Sequence, residues 1–300
     1  MNASLRGYAA AILGTLDAAA LATCAEDLGN LAQTVLANHE LRAALTDTSV
    51  GGSVRRDVLS DVLAGKVSAP AARLAAHAAL VSHAQEVPTA LSYLADRSRH
   101  AAAGTHDVEP ALSVLSARNR VGGFATAIFE DSEVADLEVI EHELFQVARA
   151  IESSADVRRA LTDRDLPLSR RQGVISALFG AKVTPVTLRL LEYVLTGGRA
   201  RDVVGTIDWL ADQTARARGW RIAKVRTAKA LDQAQADGLR ASLAKVAGNP
   251  VELQITEDAS LLGGIRIEVG DLLVDATAKG RLDSLREHID AEHRSYVAND

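Results

Sequence analysis

The sequence predicts a mainly α protein: two tandem six-helix bundles, then a small α+β C-terminal domain in which a mixed sheet packs with two helices. Three observations predict it. A stretch of about ninety residues recurs once without a gap. Apolar residues within both copies are spaced by three and four, as on one face of a helix. Past Trp220 the spacing changes to alternation, the period of a half-buried strand. The 300-residue chain is long enough for three such domains, each burying a core of its own. The expected division is 1–105, 111–218 and 219–300.

The repeat sets the frame. Gly7-Tyr8-Ala9-Ala10-Ala11-Ile12-Leu13 returns 116 residues later as Gly123-Phe124-Ala125-Thr126-Ala127-Ile128-Phe129. Arg42-Ala43-Ala44-Leu45-Thr46-Asp47 returns as Arg158-Arg159-Ala160-Leu161-Thr162-Asp163, and Tyr93-Leu94-Ala95-Asp96 as Trp209-Leu210-Ala211-Asp212. Of the 90 pairs from Gly7 to Asp96, 26 are identical, roughly three times what an Ala-rich chain gives by chance. A register that never slips through the loops implies two copies of one fold rather than a solenoid of short units.

At the N-terminus, Tyr8 to Ala25 is the most apolar stretch. Asp17 in its middle and the Gly14-Thr15 break oppose a membrane span, because a centred Asp costs about 2.5–3.5 kcal/mol and alanines return little. Two buried helices meeting at a turn, with Asp17 starting the second, fit better. Cys24 lies in this stretch and is expected to be a small buried hydrophobe. Ser53 and Ser169 are equivalent, and Ser169 with Gln172 reads as a capping box at a helix start. Thr184-Pro185 reads as an N-cap followed by Pro at the first helical position, with Ser68 at the matching place. Residues 97–111 read as a helix end and a linker, with Pro110 near the next helix. In the second copy Leu137, Ile140, Leu144, Val147 and Ile151 mark the face of a long helix, and Gly197-Gly198 breaks the chain before a helix starting near Arg201.

The last third reads differently. Val251, Leu253 and Ile255 alternate with polar residues, as do Ile265, Ile267 and Val269. Ala223, Val225 and Thr227 make a weaker strand, and Leu272 to Asp275 a fourth after a Gly-Asp turn. Leu231, Leu239, Leu243 and Val246 mark a helix, and Leu282, Leu285 and Ile289 another.

Charge and composition remove several functions. A net charge of −6 offers no basic field for nucleic acid. Aromatic residues are only 3% of the chain, so the helix interfaces must be built from Leu, Val and Ala. Gly263-Gly264 carries no surrounding phosphate-loop pattern and reads as a tight turn into a strand. His288 and His293 are five apart, off one helix face and with no Cys nearby, so no metal is expected. Glu141, His142 and Glu143 have no matching set in the first copy and read as a solvated helix face. Arg55 and Arg171 match between copies, and either helix-start salt bridges or contacts with an acidic partner would explain them. No catalytic residue and no cofactor are expected.

The run from Asp258 through Leu261-Leu262-Gly263-Gly264-Ile265, then Gly270-Asp271-Leu272-Leu273-Val274-Asp275-Ala276-Thr277 and Arg281-Leu282, constrains about twenty-five positions. It resembles the C-terminal signature of the delta subunit family of F-type ATP synthases, which includes the mitochondrial oligomycin-sensitivity-conferring protein. Leu262, Gly263, Gly264, Asp275, Arg281 and Leu282 carry the likeness. Bundles opening with Tyr/Phe-Ala-x-Ala-Ile/Leu are similar to that family's first domain, so the first hundred residues are an additional copy. An extra copy resembles the delta region of actinobacterial b–delta fusions, here without the membrane-anchored b segment.

The resemblance implies a non-catalytic peripheral-stalk subunit, one per complex, at the cytoplasmic face of the bacterial plasma membrane. It would link the catalytic head to subunit b, either separate or fused to this chain, and resist rotor torque. In the family a groove between the first and fifth helices holds an N-terminal helix of an alpha subunit. That groove maps here onto Phe124, Ala127, Ile128, Leu188, Leu191 and Val194. The first copy has Tyr8, Ala11, Ile12, Ala72, Ala75 and Ala78 at these places, so a shallower groove with a weaker or different partner is expected. A free-standing helical scaffold is the alternative reading.

Overall fold

The computed structural model describes residues 2–105, 113–130, 136–163, 165–219, 221–248, 250–258, 260–261, 263–269 and 272–275. Two compact units emerge, 1–210 and 211–300, with the boundary inside the last bundle helix. Pro110, Leu262, Arg281, Leu282, His288, His293 and the helix expected from Leu282 to Ile289 lie outside the described residues.

The first copy consists of α1 (Ala3–Leu13), α2 (Ala18–Ala37), α3 (His39–Thr46), α4 (Gly52–Leu63), α5 (Ala69–Val81) and α6 (Val87–Ala102), with a 3-10 turn at Ala84–Glu86. The second consists of α7 (Val114–Phe129), α8 (Leu137–Ser153), α9 (Ala155–Thr162), α10 (Leu168–Phe179), α11 (Pro185–Gly197), a 3-10 turn at Ala200–Asp202, and α12 (Val203–Ala217). From α3 to the 3-10 turn, every boundary recurs at the 116-residue offset of the sequence repeat. Leu28, Leu45, Leu59, Leu74, Leu91 and Leu94 are fully buried in the first copy, as are Ile140, Leu144, Ile151, Leu161 and Leu190 in the second. Of the three-and-four spacing in α8, Ile140, Leu144, Val147 and Ile151 are buried and Leu137 at its start is half-buried.

Local chemistry explains most of the helix ends. Asp17 accepts from the Ala20 N–H at 2.8 Å and so starts α2 in the middle of the apolar stretch. Thr184 caps α11 through the Thr187 N–H, with Pro185 next. Ser169 does not cap α10. That helix begins two residues earlier than expected, because the Pro167 carbonyl already accepts from Arg170 and Arg171. Ser169 therefore lies inside the first turn, and Gln172 donates to Thr196 on α11 instead of reaching back. Ser53 is likewise inside α4, which starts at Gly52.

The reading of Glu141 to Glu143 as a solvated face is corrected. Glu141 is buried, and Glu143 accepts from both the Thr184 N–H at 2.9 Å and the Thr184 hydroxyl at 2.8 Å. Only His142 faces water. The first copy repeats the device with a shorter acid: Asp27, at the position equivalent to Glu143, accepts from the Ser68 N–H at 2.7 Å. An acid on the second helix of each copy thus holds the positive start of the fifth, where free N–H groups gather. Arg55 donates to the carbonyls of Val50 and Ser82 and is buried, which makes it a brace within the bundle.

In the second unit β1 (Arg221–Thr227) leads through α13 (Gln233–Ala247) to β2 (Val251–Glu257), followed by β3 (Ile265–Val269) and β4 (Leu272–Asp275). The order is β2-β1-β3-β4, with β1 parallel to β2 and antiparallel to β3, and β3 antiparallel to β4. The parallel pair needs a crossover, which α13 supplies. Ala223, Val225, Leu243, Val251, Ile267 and Val269 form its core, joined by Leu231, Leu239, Leu253 and Ile255. Gly263 and Gly264 both have positive φ, at 119° and 87°, so the turn into β3 requires two residues without a Cβ. Asp275, exposed, closes β4 opposite Arg266.

Candidate functional site

The first helices of the two copies, α1 and α7, pack directly on each other, and the sequence explains how they can come so close. A methyl group on Gly7 would overlap the carbonyl oxygen of Arg120, and one on Gly123 would overlap the carbonyl oxygen of Ser4. Gly7 and Gly123 are repeat equivalents, and so are Ser4 and Arg120. Each helix therefore presses a bare backbone spot against the same spot on the other, the arrangement of an isologous dimer written into one chain. Arginines on the fifth helices repeat the exchange. Arg73 Nη2 donates to the Ala127 carbonyl at 2.6 Å, and Arg189 Nη2 donates to the Ala11 carbonyl at 2.7 Å. Arg73 is the equivalent of Arg189, and Ala11 of Ala127.

Aromatic pairs flank the crossing at matching places. Tyr8 stacks on His77 with ring centroids 3.7 Å apart and planes 7° from parallel. Phe124 stacks on Tyr193 at 3.7 Å and 9°. Burial lowers the His77 pKa to about 4 and raises that of Tyr193 to about 12. The Tyr8 hydroxyl crosses between copies and donates to Glu130 at 2.5 Å; burial, then Glu130, pushes it well above the usual phenol range. Arg120 is buried and donates to the Gly197 carbonyl at 2.8 Å, tying α7 to the end of α11.

The six residues expected to line a groove on the second copy do gather along α7 and α11. Phe124, Ala127, Ile128, Leu191 and Val194 are all buried, and Leu188 is half-buried. The side of α7 that carries Gly123 and Phe124 lies against α1. An opening of about 200 Å³ lies where the two copies meet. Ala11, Ile12, Pro70 and Arg73 line it from the first copy, with Ala127, Ile128, Val186 and Arg189 as their equivalents from the second. Ala127 and Ile128 are part of its lining, whereas Phe124, Leu188, Leu191 and Val194 are not. Sequence reasoning missed Arg73 and Arg189. Their signal was present: both copies keep an arginine at one position of a largely apolar helix.

The site is suited to contact rather than to bond-making. Its lining is apolar apart from Thr15 and the two guanidiniums. Among the described residues no three His, Cys, Asp or Glu side chains converge as a metal site would need. Cys24 is buried and its thiol pKa is raised by that burial, which keeps it protonated. Among the described residues no helix is long and apolar enough to cross a membrane.

A family model described as "ATP synthase delta (OSCP) subunit" matches residues 122–289. A protein of Nocardia farcinica named "ATP synthase subunit delta" is 34% identical over 83% of this chain and 82% of its own length. One of Salinispora tropica with the same name is 31% identical over 90% and 89%. One of Streptomyces coelicolor is 29% identical over 94% and 96%. The family match begins within α7, so the first copy precedes it. The relatives nevertheless match over nearly the whole chain, and the length occupied by the first copy is theirs as well.

Proposed function

Since the chain belongs to the ATP synthase delta (OSCP) subunit family, and is thereby a peripheral-stalk component of an F-type ATP synthase, we propose that it acts there as a rigid, non-catalytic strut. The head-side end is the pair of bundles, 1–105 and 111–218, which meets N-terminal helices of alpha subunits. The C-terminal domain, 219–300, meets subunit b. The chain itself stays peripheral, at the cytoplasmic face of the membrane, one copy per complex.

The observation that carries this reading is the reciprocal crossing of α1 and α7 in a chain of this family. A stator element must transmit torque without bending between its attachment points. Two bundles joined only by a linker would turn about it. Bundles interlocked by backbone-to-backbone contact and a pair of exchanged arginines move as one body, because close-packed interfaces do not deform gradually. Such a role calls for apolar surfaces that accept helices and for no reacting group. Of the six residues along α7 and α11, Ala127 and Ile128 offer the alpha contact, and Phe124, Leu188, Leu191 and Val194 support it.

Stripping this chain from membrane-bound synthase tests the proposal. ATP hydrolysis by the head should persist while ATP-driven proton pumping collapses, and adding the purified chain back should restore pumping. Undiminished pumping without the chain, or nucleotide hydrolysis by the chain alone, would refute it.

A further inference from the structure

The two copies match at the crossing of α1 and α7 and differ at one end of the bundle. In the second copy α9 packs on both α10 and the 3-10 turn at Ala200–Asp202, and Gln172 donates to Thr196 at 3.2 Å, which sets the start of α10 beside the end of α11. Five arginines stand at this end: Arg159, Arg170 and Arg201 are exposed, and Arg171 and Arg199 are half-buried. Their first-copy equivalents are Ala43, Val54, Gln85, Arg55 and His83, so four of the five belong to the second copy alone. We infer that this end of the second bundle is a docking surface for an acidic segment of another subunit of the synthase, whose carboxylates pair with these guanidiniums.

Three features select that occupant. First, the positive charge is unanswered within the chain, whose net charge is −6. Among the described residues Arg170, Arg171, Arg199 and Arg201 have no ion pair, and Arg159 has only Asp156, 3.8 Å away with both side chains largely in water, a pair of little strength. Arg55 donates to the Val50 and Ser82 carbonyls, whereas Arg171 makes no equivalent bond and its buried Nε is unpaired. Of the nearby acids, Asp202 is held by Arg118 and Thr206, Asp163 accepts from the Asp165 N–H, and Asp165 is exposed. Second, α10 starts without a side-chain cap, and the N–H groups of Leu168 and Ser169 have no acceptor among the described residues, so the positive end of the helix adds to the arginines. Third, the charges are carried on separate elements, which suits several carboxylates along a chain better than one small anion. A lipid surface would need apolar anchorage beside the charge, and among the described residues Leu178 is the one large apolar side chain exposed on α9, α10, α11 or the turn.

The inference rests on the strut reading, and one experiment separates them. Full-length chains carrying Arg170→Glu, Arg201→Glu or Lys66→Glu are titrated onto synthase stripped of its own copy, at low and high salt. The three changes alter the net charge equally, and all three sites are exposed. Arg170 lies in the first turn of a helix, which welcomes an acid, and Arg201 lies in a turn, so the fold survives both changes and denaturant midpoints check it. Arg170→Glu and Arg201→Glu should bind several-fold more weakly at low salt, and the loss should shrink as salt screens it. Lys66→Glu, in the first copy, should bind as wild type does. Hydrogen exchange on the assembled complex should show new protection at 166–171 and 199–202. Equal binding by the three variants, or no new protection there, overturns the inference and leaves the strut reading standing. Binding of the wild-type chain to phosphatidylglycerol vesicles alone, abolished by Arg170→Glu, would assign the arginines to a lipid surface and overturn it as well. Failure of the wild-type chain to bind stripped synthase overturns both readings.

Discussion

Gly7→Ala and Gly123→Ala should each destabilise the bundle unit by about 3 kcal/mol or more, the upper part of the range for overpacked interiors. At both positions the new methyl group would meet a carbonyl oxygen of the facing helix, a backbone atom that cannot rotate aside. Relief requires α1 and α7 to move apart, which also stretches the Arg73 and Arg189 hydrogen bonds to the opposite copy. Because one separation relieves both overlaps, the double variant should cost much less than the sum of the two. Gly29→Ala is the control. Gly29 lies inside α2 with open space where a Cβ would go, so the same change there should stabilise by about 0.5–1 kcal/mol. Urea midpoints of the variants check all of this. Additive losses at Gly7 and Gly123 would mean that the two overlaps are not relieved by one motion.

Lowering the pH should weaken the same interface through His77. Its ring is buried against Tyr8, with Nε2 3.4 Å from the Ser4 hydroxyl, and burial holds its pKa at about 4. An unfolded histidine titrates near 6.5. Above that value both states are neutral and the group has no effect on the pH dependence. Between about 6.5 and about 4 only the unfolded chain takes up a proton, so stability falls with pH by an amount on the order of 3 kcal/mol at most, and below that window it levels off. The nearby charges, Glu130 and Arg73, bear on Tyr8 rather than on this ring. His77→Phe keeps a flat ring on Tyr8 and cannot titrate. Comparing denaturant midpoints of wild type and His77→Phe at about pH 7 and about pH 5 should show a loss in wild type that the variant lacks. Carboxylate titration affects both proteins alike and cancels in the difference. A variant as acid-sensitive as wild type would show that His77 is not the responsible group.

Much of the architecture was legible because it repeats. An unbroken 116-residue offset carried the helix count and the paired boundaries, and the change of period past Trp220 placed the four strands seen among the described residues. The helix starts were read less well, for a local reason. A capping box and a serine inside a first turn look alike in sequence, and whether the Pro167 carbonyl had already opened α10 depended on its backbone angles. Glu143 was misread because its partner, Thr184, lies 41 residues away. The site shows the same limit more sharply. The identities Gly7/Gly123 and Arg73/Arg189 were visible, yet a repeat tells which positions are equivalent and not which faces meet. Phe124 therefore read as part of a groove on its own bundle, whereas its stretch of α7 packs against the first helix of the other copy.

Hydrogen exchange along α1 and α7 in the full-length chain tests most directly whether the two copies are one mechanical body. The account predicts that amides of Tyr8 to Ile12 and of Phe124 to Ile128 are among the slowest in the chain and share one opening free energy, equal to that of unfolding the whole bundle unit. Exchange of α1 through an opening of its own, orders of magnitude faster than that of α7, would contradict it.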